Sequence, residues 1–483
     1  MGAVGLNFGS VTSGQGFDVT TTVNQIVTNL QSVETPWKTQ LTSLQSRDTA
    51  LSSLGTQIST LSTDLQNLTD FSGTLADKTG SSSDTNVLAL SSASASATAG
   101  THTITVQNLA QTSSAASDAI RASDTLTGGI TFKVGGGDWQ TVNVGDSSTA
   151  STLSGLSAAI NSADLGVSAS VLTNADGSVR LSLVSRTSGG AGQITIADSS
   201  NNSTSPTTLA DSTSTDTNPG LGMATIQLGT DANFTVDGVG LSSASNTVTN
   251  AIPGVTFQLL STGNSTSNVG TSTSESVQVV IANDTSSIET AINTFVTDYN
   301  TTIKAINAQE GKDSSGNLEP LSGTSVLAQL QQGLLSAVSS SFGTNTINSL
   351  ISLGVTANAS ADGTISLDPD TLSGALNSNF SQVVSLFQDT GSFGAAFTKT
   401  LDDLGNSSAA GGAISLALSE DSSQETTLND DVSNQEALIA TQKTNLTTEL
   451  NTANEILQSI PEQIQQVNEM YSAITGYNSN QNG

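Results

Sequence analysis

Apolar residues recur at helical spacing at both ends of the chain and alternate in short runs through its middle. Near the start, Val19, Val23, Ile26, Val27 and Leu30 fall on one face of a helix that Asp18 or Thr20 can cap. Thr35-Pro36 restarts the chain, because proline suits the first turn of a helix. From there the repeat is a heptad. Trp37, Leu44, Leu51, Ile58 and Leu65 hold one seam position, and Leu54, Leu61 and Leu68 hold the other after Gln40 and Arg47 interrupt it. A helix over 36–71 would run about 54 Å, and a sustained heptad predicts a coiled-coil seam.

The C-terminal end mirrors this. Leu446, Leu450, Ala453, Leu457, Ile460, Ile464, Val467, Tyr471 and Ile474 follow one another at the spacing of a helical face. Ser422 with Glu425, and Ser459 with Glu462, make the S-x-x-E pattern of a helix start. Pro461 therefore predicts a break or kink, leaving a long inner helix and a shorter outer one. The acidic run 420–431 reads as a solvated helix start favoured by the helix dipole.

Between the ends the period falls to two. Alternation at Thr103–Val106, at Ile130, Phe132 and Val134, at Val142 and Val144, and at Ile194 and Ile196 predicts strands. Leu153, Leu156, Ala159 and Ile160 predict one short helix. Hairpins are signalled at Asn174-Ala175-Asp176-Gly177, Asp237-Gly238 and Asp362-Gly363. Strands are also predicted over 255–260 and at Val277, Val279 and Ile281, followed by a helix over 288–306. Asp368-Pro369 caps a further helix through Leu372, Leu376, Val383, Leu386 and Phe387. The polar stretch 201–218 reads as a connection between lobes. The layout is nested: helix leaves, β lobes fill the middle, helix returns. Such a chain brings its two ends together antiparallel.

Composition narrows the function. The chain has 483 residues, enough for about three domains. It carries 41 acidic and 11 basic residues, a net charge of −30, so it would repel nucleic-acid phosphates. Cys is absent and His occurs once, which removes disulfides, zinc fingers and His-rich metal sites. Only 11% of residues are charged, so the surface is built from Ser, Thr, Asn and Gln and suits packing against copies of itself. No run of about 18 apolar residues suggests a membrane span. The first basic residue is Lys38, Leu6 stands where a myristoylation motif needs Ser or Thr, and no secretory signal pattern is visible. A cytosolic protein and one exported without a cleaved signal both fit.

Candidate chemistry is sparse. The lone His102 sits beside strand residues with no partners for a catalytic triad in view. Acid pairs such as Asp402-Asp403 and Asp430-Asp431 lie on helix faces, and aromatics, at 4%, are too few for a sugar cleft. Leu172 breaks the calcium-loop pattern ahead of Asn174, and Gly135–Gly137 and Gly189–Gly192 lack the spacing and Lys of a phosphate loop. The expectation is no enzyme, no cofactor and no metal.

An ordered set of motifs carries a resemblance. Gly16-Phe17-Asp18-Val19, then Glu34-Thr35-Pro36, opens it, and Gly100 through Leu109-Ala110 continues it. Ala159-Ile160-Asn161, Val167–Val171 and Leu181-Ser182-Leu183 form an insert module. Phe234-Thr235-Val236-Asp237-Gly238, Asn246-Thr247-Val248 and Ile252-Pro253-Gly254-Val255 are the most telling central blocks. Phe295-Val296 with Tyr299-Asn300, and 362–368 with Leu372 and Leu376, complete the series. In order, these resemble the flagellar hook-associated protein 2 family, the filament-capping FliD proteins. The resemblance implies a cap of four to six copies at the filament tip, under which exported flagellin folds and is inserted. It implies export by the flagellar type III apparatus and a place outside the cell. The implied partners are other copies of the chain, flagellin, hook–filament junction proteins, and an export chaperone and gate, with no nucleic acid and no membrane insertion.

The expected fold is therefore α+β and multidomain: an antiparallel coiled-coil stem from the two ends, with two β-rich lobes inserted. The expected divisions are an outer helix in 1–35, a stem of 36–75 and 282–458, a first lobe of 76–127 and 230–281, a second lobe of 128–229, and an outer helix in 459–483. The stem seam is assigned to Trp37, Leu44, Leu51, Leu54, Ile58, Leu61 and Leu65 facing Leu446, Leu450 and Leu457. The outer stripes Val19, Val23, Ile26, Val27 and Leu30, and Ile460, Ile464, Val467, Tyr471 and Ile474, have few elements left to cover them. They are expected to be disordered in a single molecule and to fold on neighbouring subunits or flagellin. The alternative function is a tip-located adhesin that binds glycans or host surfaces through the lobes.

Overall fold

The computed structural model describes residues 16–144, 151–198, 201, 204, 210–211, 221–263, 276–360, 362–405 and 411–475. Most of the polar connection 201–218 lies outside them. The helices are α1 (Val19–Gln31), α2 (Glu34–Thr69), α3 (Leu153–Ser162), α4 (Thr285–Gln309), α5 (Ser325–Ser339), α6 (Pro369–Ser378), α7 (Phe380–Gln388), α8 (Phe393–Leu404) and α9 (Ala413–Thr475). The chain divides into two compact units, Met1–Thr69 with Glu289–Gly483, and Asp70–Ile288.

The first unit is built on α2 and α9. Leu44, Leu51, Leu54, Ile58, Leu61, Leu65 and Leu68 are all buried, as the heptad requires, while Trp37 is half-buried. The lower half of α2 packs on α7 and α8 as well as α9. Phe295 of α4 and Phe387, Phe393 and Phe397 of α7 and α8 interlock there, with ring centroids 5.3–6.4 Å apart. Such aromatic clusters contribute beyond the area they bury. Helix α5 is absent from the sequence reading, α8 is signalled there only by the placing of Asp402-Asp403 on a helix face, and the helix expected from Asp368 through Phe387 is two, divided at Asn379. Asp368 does cap α6, accepting the Asp370 N–H at 3.1 Å.

Helix α9 corrects three expectations. It runs unbroken through Pro461. Proline removes one backbone donor, the one that would serve the Leu457 carbonyl, from a ladder 63 residues long, and the helix continues on either side; side-chain bonds lie close by. Ser459 Oγ donates to Ile456 O at 2.8 Å and accepts from Gln463 Nε2 at 3.1 Å. The helix begins at Ala413, where Ile414 is buried in the core, so neither S-x-x-E pattern is a cap. The acidic run 420–431 therefore lies inside the helix, not at its start.

The described parts of 1–35 and 459–483 are helical. Residues 19–31 form α1, capped by Asp18, whose Oδ1 accepts the Thr21 N–H at 3.0 Å. Helix α9 extends to Thr475 and supplies the face on which α1 packs. Residues 1–15 and 476–483 lie outside the described residues.

The second unit has two hydrophobic cores. In the first, the strands Lys78–Ser82, Ser276–Asn283, Gly100–Asn108, Ala232–Val236 and Val239–Ser243 form one antiparallel sheet in that order. It shares its core with the sheet of Thr247–Thr249, Val255–Leu259 and Leu88–Ala93. Phe234 and Phe257 meet edge to face between the two, centroids 5.9 Å apart. In the second core, α3 packs on the Val167–Thr173 and Ser178–Ser188 hairpin, with Leu156, Ile160, Val167, Leu181 and Leu183 fully buried. The hairpins at 174–177, 237–238 and 362–363 stand where their turn residues place them. Ala115 and Leu126 belong to the second core, so the observed division falls near Gln111 instead of after 127.

The two cores of this unit adjoin at Gly189-Gly190. Gly189 has φ +77°, and a Cβ there would stand 2.6 Å from Ala244 Cα. Ser188 Oγ donates to Ala244 O at 2.6 Å, and the Gly190 N–H to Asp231 Oδ1 at 2.7 Å. The glycine run is thus a close-packed turn, which is why it needs glycine.

Candidate functional site: the outer surface of the paired terminal helices

Three side-chain contacts set the pairing of the ends. Phe17 N–H donates to Asn454 Oδ1 at 2.9 Å, Lys38 Nζ reaches Glu436 Oε1 at 2.9 Å, and Arg47 reaches Asp421 Oδ1 at 2.7 Å. The partner number on α9 falls as the number on α1 and α2 rises, so the pairing is antiparallel. This register corrects the seam assignment. Trp37 to Leu54 lie along α9 at and before Glu436, so Leu446 and Leu450 come opposite α1, not α2, while Leu457 falls past Asn454, beside Gly16-Phe17 ahead of α1. All three are half-buried.

The outer stripes then separate. Val19 and Val23 are buried against α9, and Ile26, Val27 and Leu30 are half-buried. The expectation that this stripe lacks cover within one molecule is corrected: the length of α9 covers it. Ile460 is half-buried. Beyond it, Ile464 is 43%, Val467 58%, Tyr471 59% and Ile474 78% exposed. Met470, at 61%, extends the same patch and is absent from the sequence reading. Adjacent apolar side chains left in water on one helical face favour a covering surface.

Arg47, which interrupts the heptad, has a partner in Asp421, a residue the sequence reading treats as solvated but whose side chain is fully buried. Burial first, against the opposing pull of Arg47, pushes the Asp421 carboxyl up to about 6. Glu34 is buried too and pairs with Lys38 at 2.8 Å.

Several quoted motif residues turn out to be backbone clasps. Asn246 Oδ1 accepts the Ala110 N–H at 2.7 Å, and its Nδ2 donates to Ala110 O at 3.0 Å. Asn300 does the same to Ile365, at 2.8 and 2.7 Å, and Asn161 to Ala169, at 2.8 Å each way. The reason for these residue types was not legible from spacing, since each pair is distant in sequence or joins helix to strand.

Among the described residues no group of three or more His, Asp or Glu side chains is placed to hold a metal, and no helix is long and apolar enough to cross a membrane. A cavity of about 460 Å³ in the second unit has Asp198 as the single ionisable residue among those lining it. One carboxyl alone does not make an acid–base pair.

Terminal helices paired antiparallel, β-rich lobes inserted between them and an uncovered apolar helical tip define a multidomain structural protein of nested design. Comparison with known proteins gives its family. The model of the flagellar hook-associated protein 2 C-terminus matches residues 229–476, and that of its N-terminus matches 15–113. The chain is 30% identical over 329 residues to the B-type flagellar hook-associated protein 2 of Pseudomonas aeruginosa, covering 65% of this chain and 67% of that one. It is 28% identical over 345 residues to the flagellar hook-associated protein 2 of Escherichia coli O157:H7, covering 67% and 70%. The crystal structure of the D1-D2-D3 domains of the flagellar cap protein FliD from Escherichia coli aligns with a TM-score of 0.55 at 26% identity, over 77% of this chain and 99% of that one. The chain belongs to the flagellar hook-associated protein 2 (FliD) family.

Proposed function

We propose that the chain is the cap of a flagellar filament: an oligomeric assembly factor at the tip that promotes folding and polymerisation of flagellin and prevents its leakage. Family membership supports the cap role, since solved relatives are flagellar cap proteins. The family is one of structural cap proteins, and the sparse ionisable chemistry of the chain accords with that. The observation that carries the mechanism is the exposed stripe Ile464, Val467, Met470, Tyr471 and Ile474. Helix α9 holds it as a preformed rod. A neighbouring subunit or flagellin docks on it, and covering what is still exposed of each side chain contributes less than the about 1.5–3 kcal/mol of full burial, before ordering costs.

The finer parts of the reading are a cap of four to six copies, export through the flagellar apparatus with help from a chaperone and gate, and contact with junction proteins. The divisions 36–75 with 282–458 as stem and the two lobes as plate belong to the same proposal. The polar, weakly charged lobe surface suits subunit contacts. The relatives give no support to a glycan-binding adhesin.

The test is a strain lacking the protein. It should release flagellin monomer into the medium and form no long filaments, and the wild-type gene should restore them. Normal filaments without the protein overturn the reading.

A further inference from the structure

Two carboxyl pairs lie between helices of the first unit. Asp421 on α9 is fully buried, with Arg47 of α2 on Oδ1 at 2.7 Å. Its Oδ2 is buried with no hydrogen-bond partner, and so is Oδ1 of Asp48, which follows Arg47 on α2. Asp48 lies within hydrogen-bonding reach of the Asp421 carboxyl. The second pair joins α2 to α4: Asp64 stands within reach of Asp298, and Asp64 Oδ2 is also buried without a partner. Two ionised carboxylates hold four acceptor oxygens and no hydrogen. One proton turns such a pair into donor and acceptor.

Little nearby charge offsets them. Helices α1, α5 and α7 carry no charged residue. On α8, Lys399 is engaged with Asp403 at 2.6 Å, with Asp402 beside it. Around Asp421 the groups are Arg47, Asp48, Glu420 and, one turn on, Glu425, whose Oε1 is likewise buried without a partner. The charged residues of α4 are Glu289, Asp298 and Lys304.

We propose that Asp48–Asp421 and Asp64–Asp298 are proton-bridged clasps that tighten the α2–α9 and α2–α4 contacts on mild acidification and loosen them at neutral pH. Asp64 is pushed up to about 6 by burial and then by Asp298, as Asp421 is by burial. A carboxyl raised in the folded state lends stability that is full below its ordinary value and is lost as pH rises through the raised one. Each pair should therefore favour folding by at most roughly ten-fold at pH 5.0 relative to pH 7.5.

The test is urea unfolding of the full chain at both pH values, followed by helix circular dichroism, for wild type and the double variant D64N/D421N. The wild-type midpoint should be higher at pH 5.0. The variant should lose most of that rise, because an amide supplies the missing N–H at either pH and the net charge of the chain barely changes. A rise as large in the variant, or none in the wild type, overturns the proposal. If the variant does not fold, infrared titration of the wild-type protein decides: carboxyl groups should lose their protons near pH 6, and the absence of any such group refutes the clasps.

Discussion

His102 Nδ1 stands 2.8 Å from Asp237 Oδ2, while Asp237 Oδ1 accepts the Thr103 N–H at 2.8 Å. Asp237 is the first residue of a two-residue hairpin turn and has φ +51°, a conformation that Asp and Asn tolerate better than most. The carboxylate thus ties the turn between the strands Ala232–Val236 and Val239–Ser243 to the neighbouring strand Gly100–Asn108. The single histidine of the chain is a structural ligand of that turn.

This pairing predicts a pH dependence. The bond from His102 first, then the Thr103 N–H, holds the Asp237 carboxyl below its ordinary value of 3.8. A lowered carboxyl lends stability above its unfolded value and withdraws it as pH falls through the lowered one. Unfolding of the β-rich unit, followed by circular dichroism, should show an acid loss below about pH 4. Asp237→Asn keeps the turn geometry and should make that limb shallower, the lowered carboxyls of Asp70, Asp176 and Asp284 in the same unit keeping the rest; an unchanged acid limb would mean the tie lends nothing.

The asparagine clasps should be costly to cut. Asn246→Ala leaves both backbone groups of Ala110 without partners, and Asn300→Ala does the same to Ile365. Each change should lower stability by about 1–3 kcal/mol in denaturant unfolding. Asn246→Asp should also destabilise, because it sets an acceptor against the Ala110 carbonyl. Losses below a few tenths of a kcal/mol would show that water replaces the clasp.

Tyr299 invites the opposite expectation. It is fully buried, its hydroxyl has no partner, and burial pushes its ionisation well above the usual value. Removing an unpaired buried hydroxyl relieves its desolvation, so Tyr299→Phe should be neutral or stabilise by about 1 kcal/mol. In alkaline spectrophotometric titration, Tyr299 should ionise only on unfolding. A clear loss of stability in the Phe variant would contradict the orphaned hydroxyl.

Much of this architecture is legible in residue patterns, and the gaps have physical causes. The α2 heptad, the Asp18 and Asp368 caps and three hairpin turns depend on neighbours close in sequence, so local periodicity and turn chemistry reveal them. Pro461 and the S-x-x-E patterns mislead because a helix already extended elsewhere tolerates one lost hydrogen bond, and because the same residues also suit helix interiors. Arg47 reads as an interruption until Asp421 appears opposite it, 374 residues away. The register of the two ends is likewise invisible in either end alone. It decides that the Val19–Leu30 stripe is covered and that the stripe after Ile460 is not.

That asymmetry yields the last prediction. Ile464, Val467 and Ile474 lie 43%, 58% and 78% exposed, so replacing all three with Ser removes little burial inside the molecule. Unfolding of the triple variant should stay within about 1.5 kcal/mol of wild type, about 0.5 kcal/mol for each surface change. Its capacity to restore filament growth in a strain lacking the protein should fall sharply, because the docking face is gone while the fold remains. By contrast, Val23→Ser, at a position 2% exposed against α9, should destabilise the pairing of α1 itself. Full rescue by the triple variant, with the fold intact, would show that the tip of α9 is not the surface on which assembly depends.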